Sequence, residues 1–105
     1  MRAVLTHVIL LRFADPADVP EAVERLRSFV GRIEAIRSLS AGPDTRGTDN
    51  SYDVALITTH DDLDGLLSYQ KDPVHLEFAD WLRPRATARA VVDFVTDEPL
   101  GRLAV

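Results

Sequence analysis

The length, composition and charge of this chain exclude several classes of protein. Its 105 residues suffice for one domain, and an apolar content of 46% allows a real but modest core. Twelve Lys and Arg against 17 Asp and Glu leave a formal charge of −5, which argues against nucleic acid or an anionic membrane as a partner. Cysteine is absent, which excludes disulfides, thiol nucleophiles and thiolate metal sites. No apolar run could span a bilayer and the N-terminus lacks a signal-peptide core, so we predict a cytoplasmic protein.

The first predicted element is a strand from Ala3 to Phe13 that is apolar on both faces. Because side chains alternate along a strand, its residues divide into two sets. One set contains Leu5, His7, Ile9, Leu11 and Phe13, and the other contains Val4, Thr6, Val8, Leu10 and Arg12.

A long amphipathic helix follows, after turn and cap residues between Asp15 and Pro20. Its apolar residues recur at helical spacing, which predicts one buried stripe made of Val23, Leu26, Phe29, Val30, Ile33 and Ile36. From Arg37 to Asp49 the pattern is weak and broken by glycine and proline. This segment predicts an irregular edge strand followed by a loop.

A second clear strand is predicted from Tyr52 to Thr59, with His60 in the loop at its end. We interpret His60 as a surface histidine. The acidic residues that follow favour a helix N-terminus, and the packing face of that helix is predicted to contain Leu63, Leu66 and Leu67.

The Asp72-Pro73 step predicts a break between two helices. A residue before proline is pushed out of the α region, and Asp72 can cap a new helix whose first residue is Pro73. His75 then lies in the first turn, where the helix dipole favours a neutral imidazole. It shares a face with Phe78, Ala79 and Leu82, so we expect it to point inward. A histidine on an apolar stripe is also compatible with a purely structural role in the core. Tyr69 is likewise compatible with a ring packed against the protein and a hydroxyl exposed to solvent.

The last strand is predicted from Arg89 to Thr96, which completes the order β-α-β-β-α-β with a divided second helix. This order predicts an α+β, ferredoxin-like fold with one four-stranded antiparallel sheet. The domain should cover residues 1–97, with a C-terminal tail at 98–105. Helices can cover only one side of the sheet, so we expect a homodimer packed sheet to sheet. The residues expected on the bare side are Val4, Val8, Leu10, Val91 and Val95.

Four motifs together resemble the stress-responsive A/B barrel domain family, also called Dabb. They are Thr6 to Phe13, Tyr52-Asp53, Tyr69 with Asp72-Pro73-Val74-His75, and Asp93-Phe94. The resemblance implies a dimeric α/β barrel. It also implies roles by analogy with a plant polyketide cyclase of the family, in which the matching histidine is the base and the matching tyrosine assists. Those positions are His75 and Tyr69 here, and His7 matches a histidine on the first strand.

This chain departs from that cyclase at several positions. Asp72 stands where the cyclase motif has its first histidine, and Arg25 and Ala41 stand where aromatic residues are expected. The departures leave the acid/base pair in place but change the lining of the expected site, which argues against the plant substrate.

Three functions remain open at this level. The first is a small-molecule-binding homodimer of unspecified activity. The second is a cofactor-free cyclase or lyase in which His75 removes a proton next to a carbonyl, Tyr69 stabilises the enolate and His7 orients the substrate or His75. The third is a monooxygenase of the antibiotic-biosynthesis type. In each, the residues expected to contact the ligand are Ile9, Leu11, Leu26, Phe29, Val30 and Phe78.

We predict no cofactor and no metal. The three histidines, His7, His60 and His75, are distant in sequence. His75-Leu76-Glu77 also lacks the i, i+4 spacing that places two ligands on one side of a helix.

Overall fold

A computed structural model describes residues 3–97 as one four-stranded sheet with a layer of helices on one side. The elements in chain order are β1 (Val4–Phe13), a 3-10 turn (Pro16–Asp18), α1 (Val19–Arg27), β2 (Ser38–Pro43), β3 (Val54–His60), α2 (Leu63–Lys71), α3 (Pro73–Leu82) and β4 (Ala86–Thr96). The predicted ferredoxin-like α+β fold is confirmed, whereas the predicted tail at 98–105 lies outside the described residues. No helix within residues 3–97 is long and apolar enough to cross a membrane.

The sheet has the strand order β2-β3-β1-β4, and every pair is antiparallel. β1 is therefore central and pairs with β3 on one side and with β4 on the other. Residues directly opposite each other share a face of the sheet. His7 lies opposite Thr58 of β3 and Asp93 of β4, so these three side chains point toward the helix layer.

The helix layer buries one face of the sheet. The core contains the predicted β1 set that ends in Phe13, together with the inward sides of β3 and the helices: Leu5, Leu11, Phe13, Ala22, Val23, Leu26, Phe29, Ile33, Val54, Leu56, Leu66, Tyr69, Phe78 and Leu82. The strand predicted from Tyr52 to Thr59 corresponds to β3, and its side chains alternate as those of a strand should: Val54, Leu56 and Thr58 are buried while Ile57 is exposed.

The first helix is shorter than its sequence pattern predicts. α1 ends at Arg27, and a series of turns follows in which Gly31 has a positive φ of 80°, a conformation that interrupts a right-handed helix. Ile33 still reaches the core through these turns, but Val30 projects to solvent with 64% exposure. The prediction that Val30 belongs to the buried stripe is therefore wrong.

The second helix is divided where the sequence predicts. Asp72 has an extended backbone, and its carboxylate accepts a hydrogen bond of 2.8 Å from the backbone N–H of Val74, so it caps α3 while Pro73 begins it. The packing face predicted for α2 is correct only at Leu66, since Leu63 and Leu67 are exposed. The inward positions are instead Leu66 and Tyr69, three residues apart along α2.

The other face of the sheet has no covering layer in the described chain. It carries Val8, Leu10, Ile57, Val92 and Phe94, of which the last three are exposed. The assignment of Val91 and Val95 to this face is wrong. The register pairs Val91 with Ile9 and Val95 with Leu5, so both lie on the helix side of the edge strand, although they too are exposed.

Candidate active site

Four ring side chains meet between the sheet and the helix layer. Tyr69 lies at the centre, and its ring centroid is 4.6 Å from that of His75, 5.2 Å from that of His60 and 5.9 Å from that of His7. The four rings come from α2, α3, β3 and β1 respectively. The helix break places Tyr69 and His75 together, because one is near the end of α2 and the other is in the first turn of α3.

Tyr69 is almost completely buried, with 2% of its surface exposed. Burial raises the pKa of its phenol far above the ordinary value, so the hydroxyl stays protonated at neutral pH. No group within residues 3–97 hydrogen-bonds this hydroxyl. Its oxygen nevertheless keeps some contact with solvent. The phenol is thus a neutral hydrogen-bond donor with an unused proton.

His75 is partly buried beside Tyr69. Its Nδ1 lies 3.1 Å from the backbone carbonyl oxygen of Gln70, and since a carbonyl only accepts, Nδ1 must carry the proton. The neutral ring therefore has its lone pair on Nε2. Burial is the main cause that lowers the pKa of His75, with a smaller opposing effect of the Gln70 hydrogen bond. The predicted inward orientation is confirmed by the contacts of His75 with Tyr69 and Phe29, and the lowered pKa agrees with the neutral ring that we expect.

His7 forms a hydrogen bond with a carboxylate, a contact that the sequence did not predict. Its Nδ1 lies 2.5 Å from Oδ1 of Asp93, which stands directly opposite on β4. His7 is 4% exposed, whereas the Asp93 side chain retains 37% exposure at the edge of the sheet. The carboxylate fixes the orientation of the imidazole and leaves Nε2 as the free nitrogen. A single carboxylate within the valine-rich last strand was the available signal.

His60 is not the surface histidine that we predicted. It is the last residue of β3 and is completely buried. Its Nδ1 donates to the carbonyl oxygen of Ala35 at 2.9 Å, and its Nε2 accepts from the Thr58 hydroxyl at 2.9 Å. Burial, more than any other cause, lowers the pKa of His60. Both ring nitrogens are occupied, so His60 supports Tyr69 by packing and has no lone pair to offer a substrate.

The family of the chain is shown by its match to a family profile. The stress-responsive A/B barrel domain, Dabb, matches residues 5–96. The chain belongs to this family. A relative from Arabidopsis thaliana, described as a stress-response A/B barrel domain-containing protein, is 26% identical over 90 residues, which cover 83% of this chain and 76% of the relative.

Solved structures share the fold of this A/B barrel domain. A dimeric ferredoxin-like protein of unknown function from Thermobifida fusca has a TM-score of 0.80 and 24% identity, and the match covers 91% of this chain and 93% of that one. A hydroxynitrile lyase from Passiflora edulis has a TM-score of 0.76 and 14% identity, with 93% and 97% of the two chains covered. At these identities the similarity shows the fold alone.

The residues predicted to contact a ligand are distributed unevenly around the ring cluster. Phe29 packs against Tyr69 and His75, with centroid distances of 6.2 and 6.4 Å, and Phe78 packs edge to face on Phe29 at 5.7 Å. Leu11 and Leu26 are buried in the same core, and Ile9 packs against it. Val30 points away to solvent, so we leave it out of the proposed site. Across residues 3–97, no three His, Asp or Glu side chains are placed to share a metal ion.

Proposed function

We propose that this A/B barrel domain is a homodimer that binds a small carbonyl compound at the ring cluster and transfers a proton on it without a cofactor. One observation carries the proposal. Within residues 3–97, nothing hydrogen-bonds Nε2 of His75 or the hydroxyl of Tyr69, and the centroids of the two rings are 4.6 Å apart. A neutral base next to a neutral hydrogen-bond donor is the pair needed to form and stabilise an enolate.

The proposed reaction uses both groups in sequence. Nε2 of His75 takes a proton from the carbon next to the carbonyl, and the electron pair of the C–H bond moves onto the carbonyl oxygen. Tyr69 donates a hydrogen bond to that oxygen. In a cyclase, the enolate carbon then attacks a second carbonyl of the same molecule, whose oxygen becomes an alkoxide. In a lyase, the enolate re-forms its carbonyl and a leaving group departs from the carbon next to the enolate carbon. The His75 imidazolium returns its proton to the oxygen or leaving group, and His7, fixed by Asp93, orients the substrate.

The homodimer is supported by the uncovered face of the sheet. Ile57, Val92 and Phe94 are 42%, 61% and 44% exposed on this face, and soluble proteins seldom leave such a patch open. The solved neighbour from Thermobifida fusca is described as dimeric. We place the dimer in the cytoplasm, in line with its cysteine-free composition.

A second candidate is a dimer that binds the same class of compound without turnover. It is favoured by the aromatic surroundings of the site, because Phe29 and Tyr69 offer apolar ring contacts that do not depend on proton transfer. The monooxygenase alternative stays a prediction, since no observation bears on it.

The two candidates are separated by one experiment in two stages. A thermal-shift screen should include β-keto acids, aromatic diketones and aromatic hydroxynitriles, the last because a structural neighbour is a hydroxynitrile lyase. For each β-keto acid or diketone that raises the melting temperature, exchange of the α-hydrogen in D₂O is followed by NMR. A hydroxynitrile would react without an enolate: His75 would take its hydroxyl proton, the carbonyl would form and cyanide would leave, taking the proton from His75. For each hydroxynitrile, release of the carbonyl product is therefore followed by absorbance. Enzyme-dependent exchange or cleavage that is lost in His75→Ala supports the enzyme. Binding that survives in His75→Ala, with no reaction in either protein, supports the binding dimer.

A further inference from the structure

A hollow of about 320 Å³ opens at one corner of the uncovered sheet face. Its floor is formed by outward residues of the three neighbouring strands β1, β3 and β2, and its rim comes from the loop between β2 and β3. Leu10, Gly42 and Ala55 line the floor, and Asn50 and Tyr52 line the rim. The floor is apolar, and a cavity of roughly 150 Å³ is enough to hold a benzene ring. The hollow therefore fits one aromatic side chain.

The matching aromatic side chain lies at the diagonally opposite corner of the same face. Phe94 of β4 stands beside Thr6, four residues along β1 from Leu10, and is 44% exposed. We propose that, in the homodimer proposed above, Phe94 of each subunit inserts into the hollow of its partner. This inference rests on the proposed dimer and adds the anchor that fixes how its two sheets are oriented.

The symmetry of a dimer allows this exchange. Two identical sheets packed face to face are related by a two-fold axis lying between them. We place this axis over the middle of β1, near Val8, and incline it to the strands by roughly 40°. Rotation about it carries the corner at Phe94 of one subunit onto the corner at Gly42 of the other. That inclination is the strand tilt of closed β-barrels. Self-contact of Val8 across the axis is a consequence of the same placement.

Arg12 lies beside the hollow and packs against Tyr52 at its rim. Its guanidinium stacks over the ring of Tyr52 at 4.6 Å, and its buried Nε is the one sealed side-chain N or O atom without a partner in the part of the chain that the structure describes.

Because the chain has no cysteine, the contact can be tested by crosslinking. Phe94→Cys combined with Ala55→Cys cannot close within one subunit. The two positions are separated by two strand spacings and four residues, which is roughly 15 Å or more, whereas bridged Cα atoms are at most about 7 Å apart. Oxidation should give a covalent dimer on a non-reducing gel. The control is Val91→Cys with Ala55→Cys, since Val91 is equally exposed at 44% on the same strand but faces the helix side.

Light scattering of the unoxidised proteins separates failure of this inference from failure of the dimer. A dimer that crosslinks through Phe94 and not through Val91 supports the anchor. A dimer that fails to crosslink through Phe94, or that crosslinks equally through both, overturns the anchor and leaves the homodimer standing. A monomeric wild-type protein overturns both. Phe94→Ala should raise the dimer dissociation constant at least 10-fold, and an unchanged constant would contradict the anchor even if the cysteine variants fold poorly.

Discussion

The two sides of β1 show how one strand serves two different environments. Toward the helices it presents His7, which is 4% exposed and paired with a carboxylate, within a group of polar rings. Toward the uncovered face it presents Val8, which lies between the apolar side chains of Ile57 and Val92. The helix side thus holds each histidine ring by at least one hydrogen bond, whereas the other side leaves apolar groups exposed. The first arrangement suits chemistry, and the second suits association.

The largest expected effect comes from placing a charge on the uncovered face. Val8→Asp should abolish the dimer, raising its dissociation constant by roughly 100-fold or more, because an unpaired carboxylate cannot be buried between two sheets. Size-exclusion chromatography with light scattering measures the change. Val30→Asp is the control, since Val30 is 64% exposed on a turn, and it should stay dimeric. A dimeric and fully stable Val8→Asp protein would rule out sheet-to-sheet packing.

The next effect addresses the helix side. If the protein is an enzyme, His75→Ala should lower turnover by roughly 10²-fold or more, and Tyr69→Phe should lower it less because it removes a single hydrogen bond to the enolate. Both variants should stay dimeric, since neither residue lies on the uncovered face. Full activity in His75→Ala would remove that residue from the mechanism.

A smaller effect is expected from pH, and it should arise only on the helix side. Burial lowers the folded-state pKa of both His60 and His75 below the ordinary 6.5. Well above pH 6.5 both histidines are neutral in the folded and in the unfolded chain, so they do not reduce the free energy of unfolding. As the pH falls below this value, the unfolded chain takes up protons first, so the free energy of unfolding decreases. Urea titrations at pH 7.5 and 5.5 and at one fixed protein concentration should show this loss, and His60→Gln should reduce it. A pH-independent free energy in the wild type would contradict the burial argument.

The smallest effect concerns the helix caps. Asp72→Ala removes the carboxylate that caps α3, and Asp62→Ala removes the one that caps α2. Each substitution should lower the free energy of unfolding by about 1 kcal/mol, measured by thermal or urea unfolding. They should differ in function, because Asp72 holds the turn that carries His75 while Asp62 lies at the far end of α2. Equal losses of ligand binding in the two variants would show that the α3 cap does not position His75.

The features that sequence predicted well depend on neighbours in the chain. The alternation of β1 and β3, the break at Asp72-Pro73 and the meeting of Tyr69 with His75 follow from local spacing and proline geometry. Asp93 was missed because its contact with His7 joins residues 86 positions apart and depends on strand register. His60 was misplaced for a similar reason, since the Ala35 carbonyl that satisfies it comes from the turns after α1.

Strand register also explains the error at Val91 and Val95. The sequence divides the residues of β4 into two alternating sets. It does not show which of the two sets lies on the same face of the sheet as His7. Only the pairing of Ile9 with Val91 decides it. The end of α1 was overestimated because the apolar spacing continues through the turns to Ile33, where burial is achieved without a helix.

The position of β1 between two strands has a consequence for how this sequence can vary. Inserting or deleting one residue before His7 would turn every following side chain of the strand to the opposite face. The histidine would then enter the association surface and Val8 would enter the ring cluster, so both properties would be lost in one event. The loop from 44 to 53 carries no such restriction on its own length, apart from its contribution to the hollow. Homologues should therefore vary in length there and keep the spacing within β1 constant.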